Sequence, residues 1–293
     1  MILKSKFQAV ITLLFFAAVM FVACKKEASV QSTAVTDEEA QTITQENASA
    51  EGEYDDVTEI GLSAGADLEA SAETNGGVTT GRIELFADLQ FKIGPCVKIT
   101  VEPNDSTFPK TVTINYGDGC LCRDGKFRKG AVILYFTAPI RRPGAVLTIT
   151  LRDFYVNRAH IEGVKTITNL TENGTLKYSV QIKDGKISWP NGRGFTHDAM
   201  KVVTRISGGD TRTIRDDVYS IEGRSESKYA NGITVTKNTE TPLIKPVACN
   251  WIDQGILKVK INSREFFIDF GNGECDNKAT IKWAGGEIIV TLP

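Results

Sequence analysis

The chain has little of what common catalytic sites are made from. It holds two histidines and three methionines in 293 residues, and no Gly-x-Ser-x-Gly nucleophile elbow. No run matches the Asp-rich calcium loop with its closing Glu, and Asp269-Phe-Gly stands without the Gly-rich loop or catalytic loop that would make it a kinase signature. Two histidines are too few for a His-based metal shell, so no metal or cofactor is expected around Cys120-x-Cys122. No long amphipathic helical pattern stands out, whereas Gly, Thr and Val are frequent, which points to β structure. Lys and Arg are absent from Glu27 to Gly81, where thirteen acidic residues lie, while the chain from Arg82 onward carries thirty basic against twenty-three acidic residues. A surplus that dilute excludes a nucleic-acid surface and reads as ordinary solvated charge.

What is present is a repeat. Thr111-Val-Thr-Ile-Asn-Tyr-Gly-Asp-Gly-Cys120 returns as Phe266-Phe-Ile-Asp-Phe-Gly-Asn-Gly-Glu-Cys275. In each copy an alternating strand runs into glycines suited to a tight turn, and a second apolar stretch follows, Ala131–Phe136 or Ala279–Trp283, so each copy reads as a hairpin. Each is also preceded by a cysteine, Cys96 and Cys249. The repeat pairs Cys96 with Cys120 and Cys249 with Cys275, leaving Cys122 over, with Cys122 in place of Cys120 as the competing partner.

Between and around the copies, strands are expected at 97–101, 145–151, 164–169, 176–182, 186–189, 200–206, 218–221, 233–237, 256–261 and 287–292, punctuated by Asn-Gly, Asp-Gly, Gly-Gly and Pro-Gly turns. The fold class is therefore all-β, an antiparallel meander or β-sandwich over residues 82–293, with possible subdomains at 82–160 and 161–293.

The first 24 residues place Lys4 and Lys6 before an uncharged stretch ending in Phe21-Val-Ala-Cys24, which resembles a bacterial lipoprotein signal peptide over 1–23. The resemblance implies that Cys24 becomes the N-terminus, carries fatty acyl chains such as palmitate, and anchors the protein to a membrane. Lys25-Lys26-Glu27 resembles a short export signal for the outer face of the outer membrane; the competing placement is the periplasmic face. Residues 24–81 read as a disordered acidic linker that lifts the body away from the lipid, with Tyr54–Ala72 holding a few apolar residues that could form a short helix.

The body resembles a group of uncharacterised lipoproteins of Gram-negative bacteria with repeated hairpin units of this kind. The likeness rests on Ile114–Cys120, Asp124–Gly130, Phe154–Asn157, Ile161–Gly163, Ile221–Gly223 and Ile268–Asn277. It implies an envelope location and supplies no activity. His160 and His197, with Asp153, Glu162 and Asp198 near them in sequence, are the raw material for a His-centred site, and Trp189, Trp251 and Trp283 for a sugar-stacking platform. The expectation is a non-enzymatic structural or binding protein, partnered by the membrane and by a glycan or another envelope protein. A glycan-binding accessory protein and a hydrolase are the alternatives.

Overall fold

A computed structural model describes residues 35, 37–73, 89, 93, 94, 96–210, 216–249 and 251–292. The expected signal peptide, Cys24 and the first part of the acidic segment lie outside them. The body is one antiparallel sheet of thirteen strands in strict sequence order. The strands are β1 (Lys98–Glu102), β2 (Lys110–Leu121), β3 (Phe127–Phe136), β4 (Val146–Val156), β5 (Ala159–Asn169), β6 (Lys177–Ser188) and β7 (Gly194–Ser207). They continue with β8 (Val218–Tyr229), β9 (Thr234–Pro246), β10 (Gln254–Ile261), β11 (Arg264–Asn272), β12 (Lys278–Trp283) and β13 (Gly286–Thr291). The meander is as expected. It is a single sheet, not two packed ones, and the suggested boundary at 160/161 falls inside β5, so the sheet runs through it unbroken.

The sheet is creased. Register shifts occur in adjacent strands, at Gly117 in β2, Gly130 in β3, ahead of Phe154 in β4, near Gly163 in β5 and Gly185 in β6. Aligned bulges of this kind bend strands and increase their twist. At the β3 site only glycine fits: a Cβ on Gly130, whose φ is +85°, would lie 2.0 Å from the Asp153 carbonyl oxygen.

The acidic segment is where structure and expectation part. Residues Asp37–Glu73 form a helix, α1, whose inner face lies in the sheet's core. Ile43, Asn47, Ala50, Tyr54, Val57, Ile60, Ala64 and Leu68 are buried at spacings of three and four, one stripe of an α-helix. The apolar members of the stripe share one buried cluster with the inner faces of β2 to β5, among them Val112, Ile114, Val132, Leu134, Phe136, Leu147, Ile149, Ile161 and Ile167. A one-sided sheet must cover its apolar face, and here the chain's own N-terminal segment covers the part that runs from β9 back toward β2.

Near its C-terminal end α1 approaches very closely. A Cβ on Gly61 would lie 3.0 Å from both Ile149 Cδ1 and Leu147 Cδ2, and one on Gly65 would lie 2.8 Å from Ile140 Cγ2. Gly52 faces open space. Gly65→Leu is therefore expected to destabilise by about 1–3 kcal/mol through overpacking. Gly52→Ala should stabilise by about 0.5–1 kcal/mol, because only the helix cost of glycine is removed. Urea unfolding of the two variants checks this, and equal effects of one sign would contradict the docking.

Both disulfides join the expected cysteines. Cys96 bonds Cys120 with Cα atoms 5.8 Å apart, and Cys249 bonds Cys275 with Cα atoms 5.7 Å apart. Cys122 is the free cysteine among the described residues, and it is buried.

Candidate functional site

The richest concentration of polar chemistry lies under α1. Acidic residues flank the helix's buried stripe, and basic residues of the sheet reach up to them. Glu39, Glu46 and Glu53 are seven residues apart, nearly two helical turns, and so share one edge. Each meets a hairpin at the same end of the sheet. Asn231 between β8 and β9 donates to Glu39 at 3.2 Å, Arg193 between β6 and β7 forks onto both oxygens of Glu46, and Lys126 before β3 binds Glu53 at 2.9 Å. Seven helical residues advance about 10.5 Å, close to the roughly 9.6 Å between alternate hairpins of a sheet. The second step spans four strands in the same seven residues, and there the long Lys126 side chain makes the contact to Glu53.

The other edge carries Glu51 and Asp55. Glu51 pairs with Lys237 of β9 at 3.1 Å, while Asp55 lies 3.3 Å from Lys201 of β7 and 3.8 Å from Lys165 of β5. Burial alone would raise the Glu51 pKa, but Lys237 and Lys201 outweigh it and hold the carboxyl below its usual range. Lys165 is the exception among the cations. Its ammonium is buried and donates to the Tyr54 carbonyl at 2.6 Å, and desolvation pulls its pKa down to about 8 against the opposing pull of Asp55.

Arg128, fully buried on β3, ties the helix to the β2–β3 hairpin. Its Nη2 donates to Asp56 of α1 at 2.7 Å and to Asp124 at 2.6 Å, and Nη1 reaches Asp124 at 3.0 Å. Burial works against its charge, yet hydrogen bonds to Asp124 and Asp56 raise its pKa further above the ordinary guanidinium value. Cys122 sits beside this guanidinium, and desolvation pushes its thiol up despite that contact. It is a structural thiol and not an activated one.

His197 of β7 is 1 % exposed and stacks on Tyr54 of the helix with ring centroids 5.4 Å apart. Its Nδ1 lies 3.0 Å from Ser227 Oγ on β8, and Ser227 donates to Asn47 Oδ1 at 2.8 Å. Asn47 Nδ2 in turn donates to the Tyr229 hydroxyl at 3.0 Å and to the Ile43 carbonyl at 3.0 Å. Because the serine proton goes to Asn47, the network assigns the imidazole proton to Nδ1, donating to Ser227. The order is the reverse of a nucleophile held by a base, in which the serine donates to the imidazole. The far nitrogen, Nε2, is buried without a hydrogen-bond partner, so a second proton there would have nowhere to donate. Desolvation accordingly pulls the His197 pKa down to about 4.

The other sequence candidates do not converge. His160 stacks on Tyr155 at 4.4 Å and lies 3.7 Å from Glu162, half-buried on the outer face, since its neighbours Ala159 and Ile161 point inward. The two histidines therefore face opposite sides of the sheet. Asp198 accepts from the Asp184 amide at 3.0 Å, and Asp153 occupies the β4 bulge at a φ of +46°. Trp189 packs against Phe195 in the β6–β7 hairpin, and Trp283 ends β12 six strands away, about 29 Å at ordinary strand spacing. Trp251 lies between β9 and β10, at the opposite end of the strands, so the three indoles share no platform.

Glu46, Glu51, Glu53, Asp55 and Asp56 were visible in the sequence only as unpaired acid, and their partners as dilute surplus base. The split in charge is an internal complementarity between α1 and the sheet. Among the described residues no group of three His, Cys, Asp or Glu is placed to hold a metal ion, and no helix is long and apolar enough to cross a membrane. Compared with known proteins, the chain matches no family model, no curated protein and no solved structure.

Proposed function

We propose that the chain is a lipid-anchored protein of the Gram-negative outer membrane, held through Cys24 as in the lipoproteins it resembles, and that its β body serves a non-enzymatic structural or binding role. The observation that carries the non-catalytic part is the direction of the His197–Ser227–Asn47 chain. The serine proton is committed to the helix, the imidazole donates where a base would accept, and α1 covers both groups. From β9 back to β3 the sheet's inner face is likewise committed to its own helix.

The anchoring part rests on Phe21-Val-Ala-Cys24 after an uncharged stretch. Replacing Cys24 with Ala is expected to move the protein from the membrane to the soluble fraction, because the acyl chains supply the apolar attachment. Retention of that variant in washed membranes would refute the anchor. Purified protein screened against glycan, peptide and ester substrates should show no turnover above blank, and turnover abolished by His197→Gln would replace this reading with a hydrolase.

A further inference from the structure

We propose that β13 is a self-association edge, pairing antiparallel with β13 of a second copy so that the two sheets become one across a twofold axis. The inference is independent of the lipid anchor and of the absence of catalysis.

The two edges of the sheet differ. β1 is five residues long and carries Lys98 and Glu102 exposed at its ends, devices that discourage edge pairing. β13 reads Gly286-Glu-Ile-Ile-Val-Thr291, with three β-branched apolar residues in a row and neither lysine nor proline. Ile289 at its centre is 69 % exposed, level with Leu121 as the most exposed large apolar residue described. Ile288 and Val290 point to the other face, where Ile288 continues an apolar surface through its register partner Ile281 on β12 and then Ile268 on β11, and Val290 lies opposite Ala279. These three isoleucines and Val290 are only half-buried, because the contacts made by α1 run from the β8–β9 hairpin and β9 back to β3, away from this wing.

The sequence of β13 is complementary to itself. Centred on Ile289, the antiparallel register sets Ile289 against its own copy, Ile288 against Val290, and Glu287 against Thr291. Residues directly opposite in such a pair share a face, so apolar meets apolar on both sides and no like charges oppose each other. Glu287 lies opposite Lys282 on β12, whose ammonium is bonded to Asp269 at 2.9 Å, and in the paired register it faces the neutral Thr291 of the second copy. Main-chain hydrogen bonds would supply the affinity and the side-chain register the specificity. A second copy of this chain is the occupant because one strand provides both halves of the match.

The test is sedimentation of the mature chain carrying Cys24→Ala, across a concentration series, alone and with Ile289→Lys or Ile289→Cys added. The expected result is a concentration-dependent dimer. Ile289→Lys should weaken it at least about tenfold by opposing two ammonium groups, with an unchanged circular dichroism spectrum. Ile289→Cys should yield a covalent dimer on mild oxidation, since directly opposed cysteines lie within disulfide reach. A monomer throughout the series would overturn the proposal. So would a dimer that survives Ile289→Lys undiminished, or one that the cysteine variant fails to cross-link.

Discussion

Arg128→Ala should be among the most damaging single substitutions in the chain, at about 3–5 kcal/mol of unfolding free energy, because it leaves the buried Asp56 carboxylate without its guanidinium. Asp56 and Asp124 are both held by the same guanidinium, which is itself fully buried. Removing it sets one carboxylate of the helix against one of the β2–β3 hairpin, leaving Lys126, 3.8 Å from Asp56, as the nearest paired cation. The loss would centre on the middle of α1, so hydrogen exchange should report lost protection around Asp56 before the central strands are affected. Arg128→Met combined with Asp56→Asn and Asp124→Asn should recover much of the loss, since the penalty is that of uncompensated charge and not of the missing pair. Denaturant unfolding of Arg128→Ala within about 1 kcal/mol of the parent would show that α1 is not fastened here.

Acid should loosen the same interface in two stages. His197 titrates near 4 in the folded chain against about 6.5 when unfolded, so the unfolded chain takes up the proton first as pH falls. The stability tied to His197 is therefore complete above about pH 6.5 and drains away toward pH 4, by an amount on the order of 3 kcal/mol. The second stage comes from the carboxyls held low. Burial opposes the charge of both Glu51 and Asp124, but Lys237 and Lys201 in one case and Arg128 in the other keep their pKa values below the ordinary carboxylate range. Their contribution is present above that range and is lost only as pH falls through the lowered values. Stability measured from pH 7.5 to 3 should thus decline from about 6.5, and His197→Gln should flatten the first stage while leaving the second. A parent curve that is level between pH 6.5 and 4 would contradict the burial of a neutral imidazole.

The strands were legible because their pattern is local. Leu147 and Ile149 alternate with Thr148 and Thr150, and the first pair is buried as a half-covered sheet requires. The repeat made the disulfides legible as well, since each hairpin unit carries its own pair. The helix was obscured by composition. Its buried stripe includes Asn47, Ala50 and Ala64, and Gly52, Gly61 and Gly65 lower its intrinsic helicity, so neither hydropathy nor propensity marks it strongly. Its shape answers to the sheet: glycines where the backbones meet, an asparagine where Ser227 and Tyr229 need a partner, glutamates where hairpins present cations. The signal that could have exposed it is the three-and-four spacing from Ile43 to Leu68 taken with the seven-residue spacing of Glu39, Glu46 and Glu53. The inward direction of His197 was readable from Phe195 and Ala199 on either side, but its partners lie on β8 and α1 and are not local. Gly117 and Gly119 read as turn residues yet lie within β2 at its bulge, because a bulge and a turn use the same residue type.

The docked helix also decides how the body would respond to force. With the proposed anchor at Cys24, a pull from the membrane enters the body at the buried Val35, eleven residue steps along, within at most about 40 Å of contour. Of the polar fastenings it would meet Glu39 and Asn231 first, then Glu46 and Arg193, then Glu51 and Lys237, before any load reached β1 at the sheet's edge. These side-chain fastenings lie one after another along the helix and would yield in turn. Wound, the 37 residues of α1 occupy about 55 Å, and drawn out they reach about 130 Å, so the helix is a reserve of slack. The spacing between sheet and lipid is then a variable, set by how many of these fastenings are closed.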